Sequence, residues 1–187
     1  MDTEGMTLNK KAWFRYMARS IDLTIGAVFI GVVVILFLVL LTILLNSFME
    51  ISWDAFSVIP EFLIGIIIIF FYLIVEASMF STFKTSLGKK IFGITVTDNN
   101  NEKLKFGAAL KRNFLLWFRG MALSIPLLSI VALAIAYGNY TNNGITSWDE
   151  DSEVTVHFKR ISTIRTILGV LLFSFIMIIN VYLTMNI

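Results

Sequence analysis

The sequence contains no cysteine, a single histidine and two prolines. The absence of cysteine excludes disulfide bonds, thiolate metal sites and a cysteine nucleophile, and one histidine excludes a metal site built from several histidines. Charged residues are also scarce: they make up 15% of the chain, whereas soluble domains contain about 25%. Because 57% of the residues are hydrophobic, we expect one compact membrane domain that contacts the lipid bilayer and no nucleic acid.

Three long apolar segments predict helices that span the membrane. The first covers about residues 21–46 and has no charge after Asp22. The second covers residues 61–83 and contains Glu76 within its apolar run. The third covers residues 162–187 and is uncharged from Thr166 onward. Each segment offers the roughly 20 apolar residues that are needed to cross the hydrocarbon core of a bilayer.

A polar stretch between the second and third spans, SLGKKIFGITVTDNN, interrupts this apolar pattern at residues 86–100. Its ITVT run alternates apolar and polar residues, which indicates a strand, and the DNNN run that follows is typical of a turn. The LKF run at 104–106 suits a returning strand, and VTVHFK at 154–159 alternates in the same way. We therefore expect a small β-cap made from residues 91–106 together with 154–159.

Residues 107–140 form an apolar segment that admits two arrangements. Basic residues interrupt its first half and a proline interrupts its middle: Lys111, Arg112, Arg119 and Pro126. The segment either crosses once, giving four spans with both termini in the cytoplasm, or dips in and returns as a Pro-broken helical hairpin. Lysine and arginine favour the cytoplasmic side of a membrane. The hairpin puts all 15 Lys and Arg residues on that side, whereas a single crossing puts three of them outside.

The two predicted strands must also lie on one side of the membrane if they are to pair. The hairpin satisfies this condition and is the arrangement that we favour. The expected fold class is therefore an all-α polytopic membrane protein with three full transmembrane helices, a Pro-broken helical hairpin and a small cytoplasmic β-cap. The N-terminus is expected in the cytoplasm.

Several charges fall inside or beside the apolar segments. Arg15, Arg19 and Asp22 share one helical face, where Arg19 and Asp22 are spaced to pair. Basic residues at the inner end of a span are ordinary topological signals, but Asp22 is not explained in this way. Glu76 lies roughly 10 Å inside the inner boundary of the second span. We expect these acids and arginines to meet in the inner leaflet, as an ion site or as a structural salt-bridge cluster.

Two further groups of charges are ambiguous. Arg112 and Arg119 are seven residues apart, so they share a helical face and either complete the cluster or reach lipid phosphates. Asp149 belongs to an acidic run, and such runs are usually solvated. The sequence has none of the GxSxG, HExxH or P-loop motifs, so we expect neither an enzyme nor a cofactor.

The pattern Arg15-x-x-x-Arg19-x-x-Asp22, the block SLGKKIFGITVTD and the later LKFGAALKRN together resemble the RDD family of membrane proteins, which is named for one arginine and two aspartates. The matching motif residues are Gly88, Lys89, Gly93 and Arg112. By position, Asp22 is the first aspartate, and the arginine is Arg15 or Arg19. Asp149 would be the second aspartate, although the chain lacks the neighbouring His and Gly-Thr of the family pattern.

The resemblance covers roughly residues 13–158 and implies an RDD-like membrane domain over 1–161 with an additional C-terminal helix at 162–187. It also implies a multi-pass protein of the bacterial cytoplasmic membrane with a role in transport. One hypothesis is that a charge cluster handles protons or small monovalent cations: Arg15, Arg19, Asp22, Glu76, Arg119 and Asp149. The alternative is a non-enzymatic accessory or regulatory subunit. Either function predicts a partner, which is a second copy of the chain or another membrane protein.

Overall fold

The computed structural model describes residues 6–49 and 61–186. Residues 1–5, 50–60 and 187, which belong to the predicted domains, lie outside the described part. Within the described ranges, three helices are long and apolar enough to cross a membrane: α1 (Leu8–Met49), α2 (Glu61–Phe83) and α7 (Thr163–Asn186). They coincide with the three apolar segments predicted as spans, and the described part of the chain is largely helical.

Shorter elements connect α2 to α7. In chain order they are α3 (Leu87–Ile91), β1 (Ile94–Asp98), α4 (Phe106–Leu115), α5 (Pro126–Asn143), α6 (Ser147–Glu150) and β2 (Val154–Phe158). The two strands pair antiparallel, with Ile94 opposite Phe158 and Asp98 opposite Val154. The pairing between the 94–97 and 154–158 runs is therefore confirmed, and it joins segments that are about 60 residues apart in the chain.

The returning strand predicted at residues 104–106 is wrong. The Asp98 side chain accepts hydrogen bonds from the backbone N–H groups of Asn100 at 2.9 Å and Glu102 at 2.8 Å, which closes a compact turn. The chain then leaves the sheet: Leu104 packs into an apolar cluster with Phe80 and Val96, and Phe106 begins α4. Burial of Leu104 thus prevails over strand pairing.

Two apolar clusters hold the sheet against the helices. The first joins the N-terminal turns of α1 to the region around the strands and to α7; its buried members are Phe14, Met17, Ala18, Ile21, Phe92, Ile94, Phe158 and Ile176. The second joins α2 and α4 to the strands; its members are Ala77, Phe80, Val96, Leu104, Ala109 and Val154. The strands therefore connect α1 to α2, α4 and α7 near the start of α1.

The segment predicted as a hairpin or a single span is broken in the structure. After α4 the chain makes a π-helical turn over Leu116–Gly120, and Ala122, Leu123 and Ser124 then adopt positive φ angles of 43°, 56° and 66°. Pro126 begins α5, which is a favourable position because proline lacks an N–H group and fixes φ. Proline also forces the residue before it out of helical geometry, and Ile125 is accordingly extended.

Candidate functional site

Asp22, in the N-terminal half of α1, is held by the SLGKK turn. Its carboxylate accepts hydrogen bonds from Ser86 Oγ at 2.5 Å and from the backbone N–H of Gly88 at 2.6 Å. Lys89 Nζ lies 3.4 Å from Asp22 Oδ2. A Cβ on Gly88 would overlap the carbonyl oxygen of Ala18 and lie 3.1 Å from Asp22 Cγ. The turn therefore needs glycine at position 88, because it lies so close to α1. The backbone N–H of Gly88 also stabilises the buried carboxylate charge of Asp22 by hydrogen bonding.

Glu76 on α2 is fully buried and joins α1 to the same turn. It accepts a hydrogen bond from Lys89 Nζ at 2.8 Å and forms an ion pair with Arg19. Lys89 therefore bridges the two carboxylates of Asp22 and Glu76. The aromatic ring of Phe80 lies 4.9 Å from Lys89 Nζ, and the ring of Tyr72 lies 5.7 Å from the Arg19 guanidinium carbon, so both cations also contact aromatic faces.

Asp149 on α6 is buried between two arginines. Arg112 Nε donates to Asp149 Oδ1 at 2.7 Å, Arg15 pairs with the other carboxylate oxygen, and Thr146 Oγ1 donates to that oxygen at 2.6 Å. Burial raises the pKa of Asp149, but Arg112, Arg15 and the hydrogen bond from Thr146 lower it more, and the resulting pKa is about 2. Asp149 is therefore a fixed anion at neutral pH.

The structure changes several of the predicted pairings. Arg19 pairs with Glu76 and not with Asp22, because the turn around Gly88 occupies the Asp22 carboxylate. Asp149 is not solvated but deeply buried. Arg119 lies apart from the other charges, where it forms an exposed ion pair with Asp151. Arg112, predicted only as a motif residue or a cluster member, is the buried partner of Asp149.

These charges form two groups of ion pairs, which together we call the charge network. One group contains Arg19, Glu76, Lys89 and Asp22, and the other contains Arg15, Asp149 and Arg112. Four of these side chains are basic and three are acidic, so the network has one positive charge in excess when all are ionised. In the described part of the chain, no group of three or more His, Cys, Asp or Glu side chains could hold a metal ion.

Two functional neighbours were missed by sequence reasoning. Thr146 precedes α6 and donates to Asp149, while Trp148 is buried against Gly120. Neither residue type has a diagnostic spacing in the sequence. Asn113, beside Arg112, is also buried, and its side-chain amide donates to the carbonyl of Leu73 at 3.1 Å, which ties α4 to α2.

A cavity of about 500 Å³ adjoins the network between α1, α4, α5 and α6. Its walls are mostly apolar and aromatic, and its lining includes Trp13, Tyr16, Leu133, Tyr137, Tyr140 and Trp148. The basic members of the network, Arg15, Arg19, Lys89 and Arg112, also line it.

A family model described as RDD family matches residues 10–186 of this chain, which includes α7. The chain belongs to the RDD family. No curated protein and no solved structure matches it at a significant level. In this RDD protein, the motif residues have specific structural places: Gly88 and Lys89 contact Asp22, and Arg112 contacts Asp149. Gly93 turns the chain into β1 with a φ of 67°, and a Cβ there would lie 2.9 Å from the carbonyl oxygen of Lys159.

Proposed function

We propose that this RDD protein takes part in transport and that Lys89 occupies a site at which a proton and a small monovalent cation exchange. The observation that supports this proposal is the position of the Lys89 ammonium between two buried carboxylates, 2.8 Å from Glu76 and 3.4 Å from Asp22. Buried ionisable groups at the ends of membrane helices are candidates for ion pathways.

The proposed exchange keeps the net charge of the Lys89 site constant. With Lys89 protonated, the group of Arg19, Lys89, Asp22 and Glu76 is neutral. Loss of one proton from Lys89 leaves a net charge of −1, and the oxygens of Asp22 and Glu76 then lack their shared cation. A monovalent cation that enters between these carboxylates restores neutrality, because oxygen ligands suit hard cations. One proton leaves for each cation that binds.

We also propose the topology on which this function depends: an N-terminus in the bacterial cytoplasm, a cytoplasmic β-sheet and a hairpin over residues 107–140. Two observations support it. The hairpin puts all 15 Lys and Arg residues on the cytoplasmic side. In addition, Arg112 near the start of the segment and Tyr140 near its end both lie beside the Arg15–Asp149 pair.

The decisive experiment measures cation flux in vesicles that contain the purified protein, with a pH gradient across the membrane and Li⁺, Na⁺ or K⁺ outside. Lys89→Arg is the sharpest variant, because arginine keeps the positive charge but stays protonated at any working pH. We expect Lys89→Arg to fold and to lose flux, while the adjacent Lys90→Arg control keeps it. Folded wild-type protein that moves none of these cations contradicts the transport proposal.

An accessory or regulatory role without enzymatic activity is the second candidate. It is supported by the exposed surfaces of the apolar helices: only 6% of the apolar stretch of α7 and 11% of that of α1 are buried. The three spans found among the described residues are too few to enclose a pathway, so these surfaces suit a partner or a second copy. Co-purification in mild detergent separates the candidates, because a stoichiometric foreign subunit favours the accessory role and a homo-oligomer favours transport.

A further inference from the structure

We propose that the cavity beside the charge network binds an anionic amphiphile, a molecule with a phosphate or carboxylate head and an apolar tail. This inference does not depend on the cation exchange proposed above, because binding in the cavity requires no proton to leave Lys89, although Lys89 lines the cavity. The head would lie at the guanidinium groups of Arg19 and Arg112, and the tail would lie along the aromatic wall.

The charges that line the cavity all have one sign. Arg15, Arg19, Lys89 and Arg112 line it, and none of the lining residues in the described part of the chain is acidic. The carboxylates that pair with these cations do not belong to the lining, and the network as a whole retains one positive charge. A bound anion would therefore be attracted by the nearest charges and would neutralise the excess.

Buried hydrogen-bond donors without partners also favour an anionic ligand. Arg112 and Trp148 are 2% and 8% exposed, and Arg112 Nη1 and Trp148 Nε1 have no hydrogen-bond partner. Nε and Nη2 of Arg19 are likewise buried without a partner. Buried N–H groups normally find an acceptor, and leaving them without one is costly. The oxygens of a phosphate or carboxylate are acceptors that suit guanidinium and indole N–H groups.

The shape of the cavity explains why the ligand should also be apolar. Its volume of about 500 Å³ lies within the range of small-molecule sites. Trp13, Leu133 and Tyr137 on its wall are 55%, 38% and 43% exposed, so the cavity opens beside them to the surroundings of α1 and α5. A basic pocket between membrane helices that opens through apolar side chains suits an anionic lipid or a fatty carboxylate. A small hydrophilic anion would leave most of this wall uncovered.

The test uses the full-length protein in an uncharged detergent and measures both affinity and the rise in melting temperature. The probes are dioctanoyl phosphatidylglycerol, octanoate, dioctanoyl phosphatidylcholine and inorganic phosphate. We expect one of the two anionic amphiphiles to bind at least about tenfold more tightly than the zwitterionic lipid. Preference for phosphatidylglycerol identifies a lipid headgroup as the ligand, and preference for octanoate identifies a carboxylate. Equal affinity for phosphatidylcholine, or full stabilisation by inorganic phosphate alone, overturns the proposal.

Two variants test the position of the site. Ala136→Phe places a ring inside the cavity without changing a charge and should abolish binding, whereas Ile135→Phe, on the same helix but outside the lining, should not. Trp148→Phe keeps an aromatic ring against Gly120 but removes the N–H group, and should weaken binding by about fivefold. Unchanged affinity of the folded Trp148→Phe variant, or of a folded Ala136→Phe variant, refutes the assignment.

Discussion

Asp22 on α1 accepts a hydrogen bond from the backbone N–H of Gly88 at 2.6 Å, across 66 residues of chain. This bond explains why a Gly-Lys turn interrupts an otherwise apolar sequence. The turn brings the Ser86 hydroxyl, the Gly88 N–H and the Lys89 ammonium to the Asp22 carboxylate. Without them this charge would be buried with no hydrogen-bond donor or cation beside it. The geometry of the site therefore depends on a close approach of the Gly88 backbone to α1.

Replacement of Gly88 should disrupt this contact. Gly88→Ala places a methyl group against the carbonyl oxygen of Ala18 and the carboxylate of Asp22, so the turn must move away from α1. We expect a loss of about 1–3 kcal/mol in unfolding free energy, typical of overpacking. Gly107→Ala is the matched control, because a Cβ at Gly107 meets nothing within 4 Å. Thermal unfolding in detergent measures both variants, and equal stability of the two would mean that Gly88 does not contact α1.

A double-mutant cycle should show that Arg19 is coupled to Glu76. The two side chains form a buried ion pair, so removing one strands the other, at a cost of about 3–5 kcal/mol. We expect Arg19→Ala and Glu76→Ala together to cost less than the sum of the single changes, with a coupling of about 0.5–3 kcal/mol. The cycle between Arg19 and Asp22 should show weaker coupling. If the coupling of Arg19 to Asp22 proved stronger than its coupling to Glu76, the pairing of Arg19 with Asp22 expected from their spacing would be correct after all.

The pH dependence of stability should identify Asp149. Its pKa of about 2 lies below the usual value of 3.8, so its pairing stabilises the fold fully above about pH 4. That contribution is lost as the pH falls from about 4 towards 2, because the unfolded chain then takes up a proton more readily. The stability gap between wild type and Asp149→Asn should therefore be constant near neutral pH and narrow below about pH 4.

Asp151→Asn is the control for this measurement, because Asp151 and its partner Arg119 are 46% and 43% exposed at the side chain. Exposed ion pairs contribute about 0–1 kcal/mol, so this variant should follow the wild type at every pH. A gap for Asp149→Asn that stays the same down to pH 2 would show that Asp149 is not an ionised buried group.

The proposed topology can be tested with single cysteines, because the chain has none of its own. Asn142 and Thr184 are both exposed in the structure. If residues 107–140 form a hairpin, Asn142→Cys should be protected from a membrane-impermeant thiol reagent in intact cells, and Thr184→Cys should be labelled. The opposite pattern indicates four simple spans, and permeabilised cells provide the control for reactivity.

The sequence predicted the apolar helices and the two strands because their signals are local. A run of about 20 apolar residues or an alternating pattern can be recognised without knowing its neighbours. The pairing of 94–97 with 154–158 followed from the need of each strand for a partner. The strand predicted at 104–106 is absent because Leu104 packs with Phe80 in a buried cluster. Burial of that kind depends on residues that are distant in the sequence.

The ion pairs were harder to predict for the same reason. Spacing along one helix suggested that Arg19 pairs with Asp22, but the real partner of Arg19 lies 57 residues away on α2. The acidic run around Asp149 looked like a solvated loop, yet Trp148 and Asp149 turn inward while Glu150 stays exposed. Such choices are set by helix docking, which composition and periodicity do not encode.

The unbroken course of α1 from Leu8 to Met49 has a mechanical consequence. Arg15, Arg19 and Asp22 lie on the same continuous helix as the apolar part of α1. Any tilt of that apolar part in the bilayer therefore displaces these charged side chains as well. Arg15 lies about 20 Å along the axis from residue 29, and a tilt of 10° about that point would displace it by about 3–4 Å. That displacement exceeds the length of a hydrogen bond, so bilayer thickness and the integrity of the ion pairs are mechanically linked.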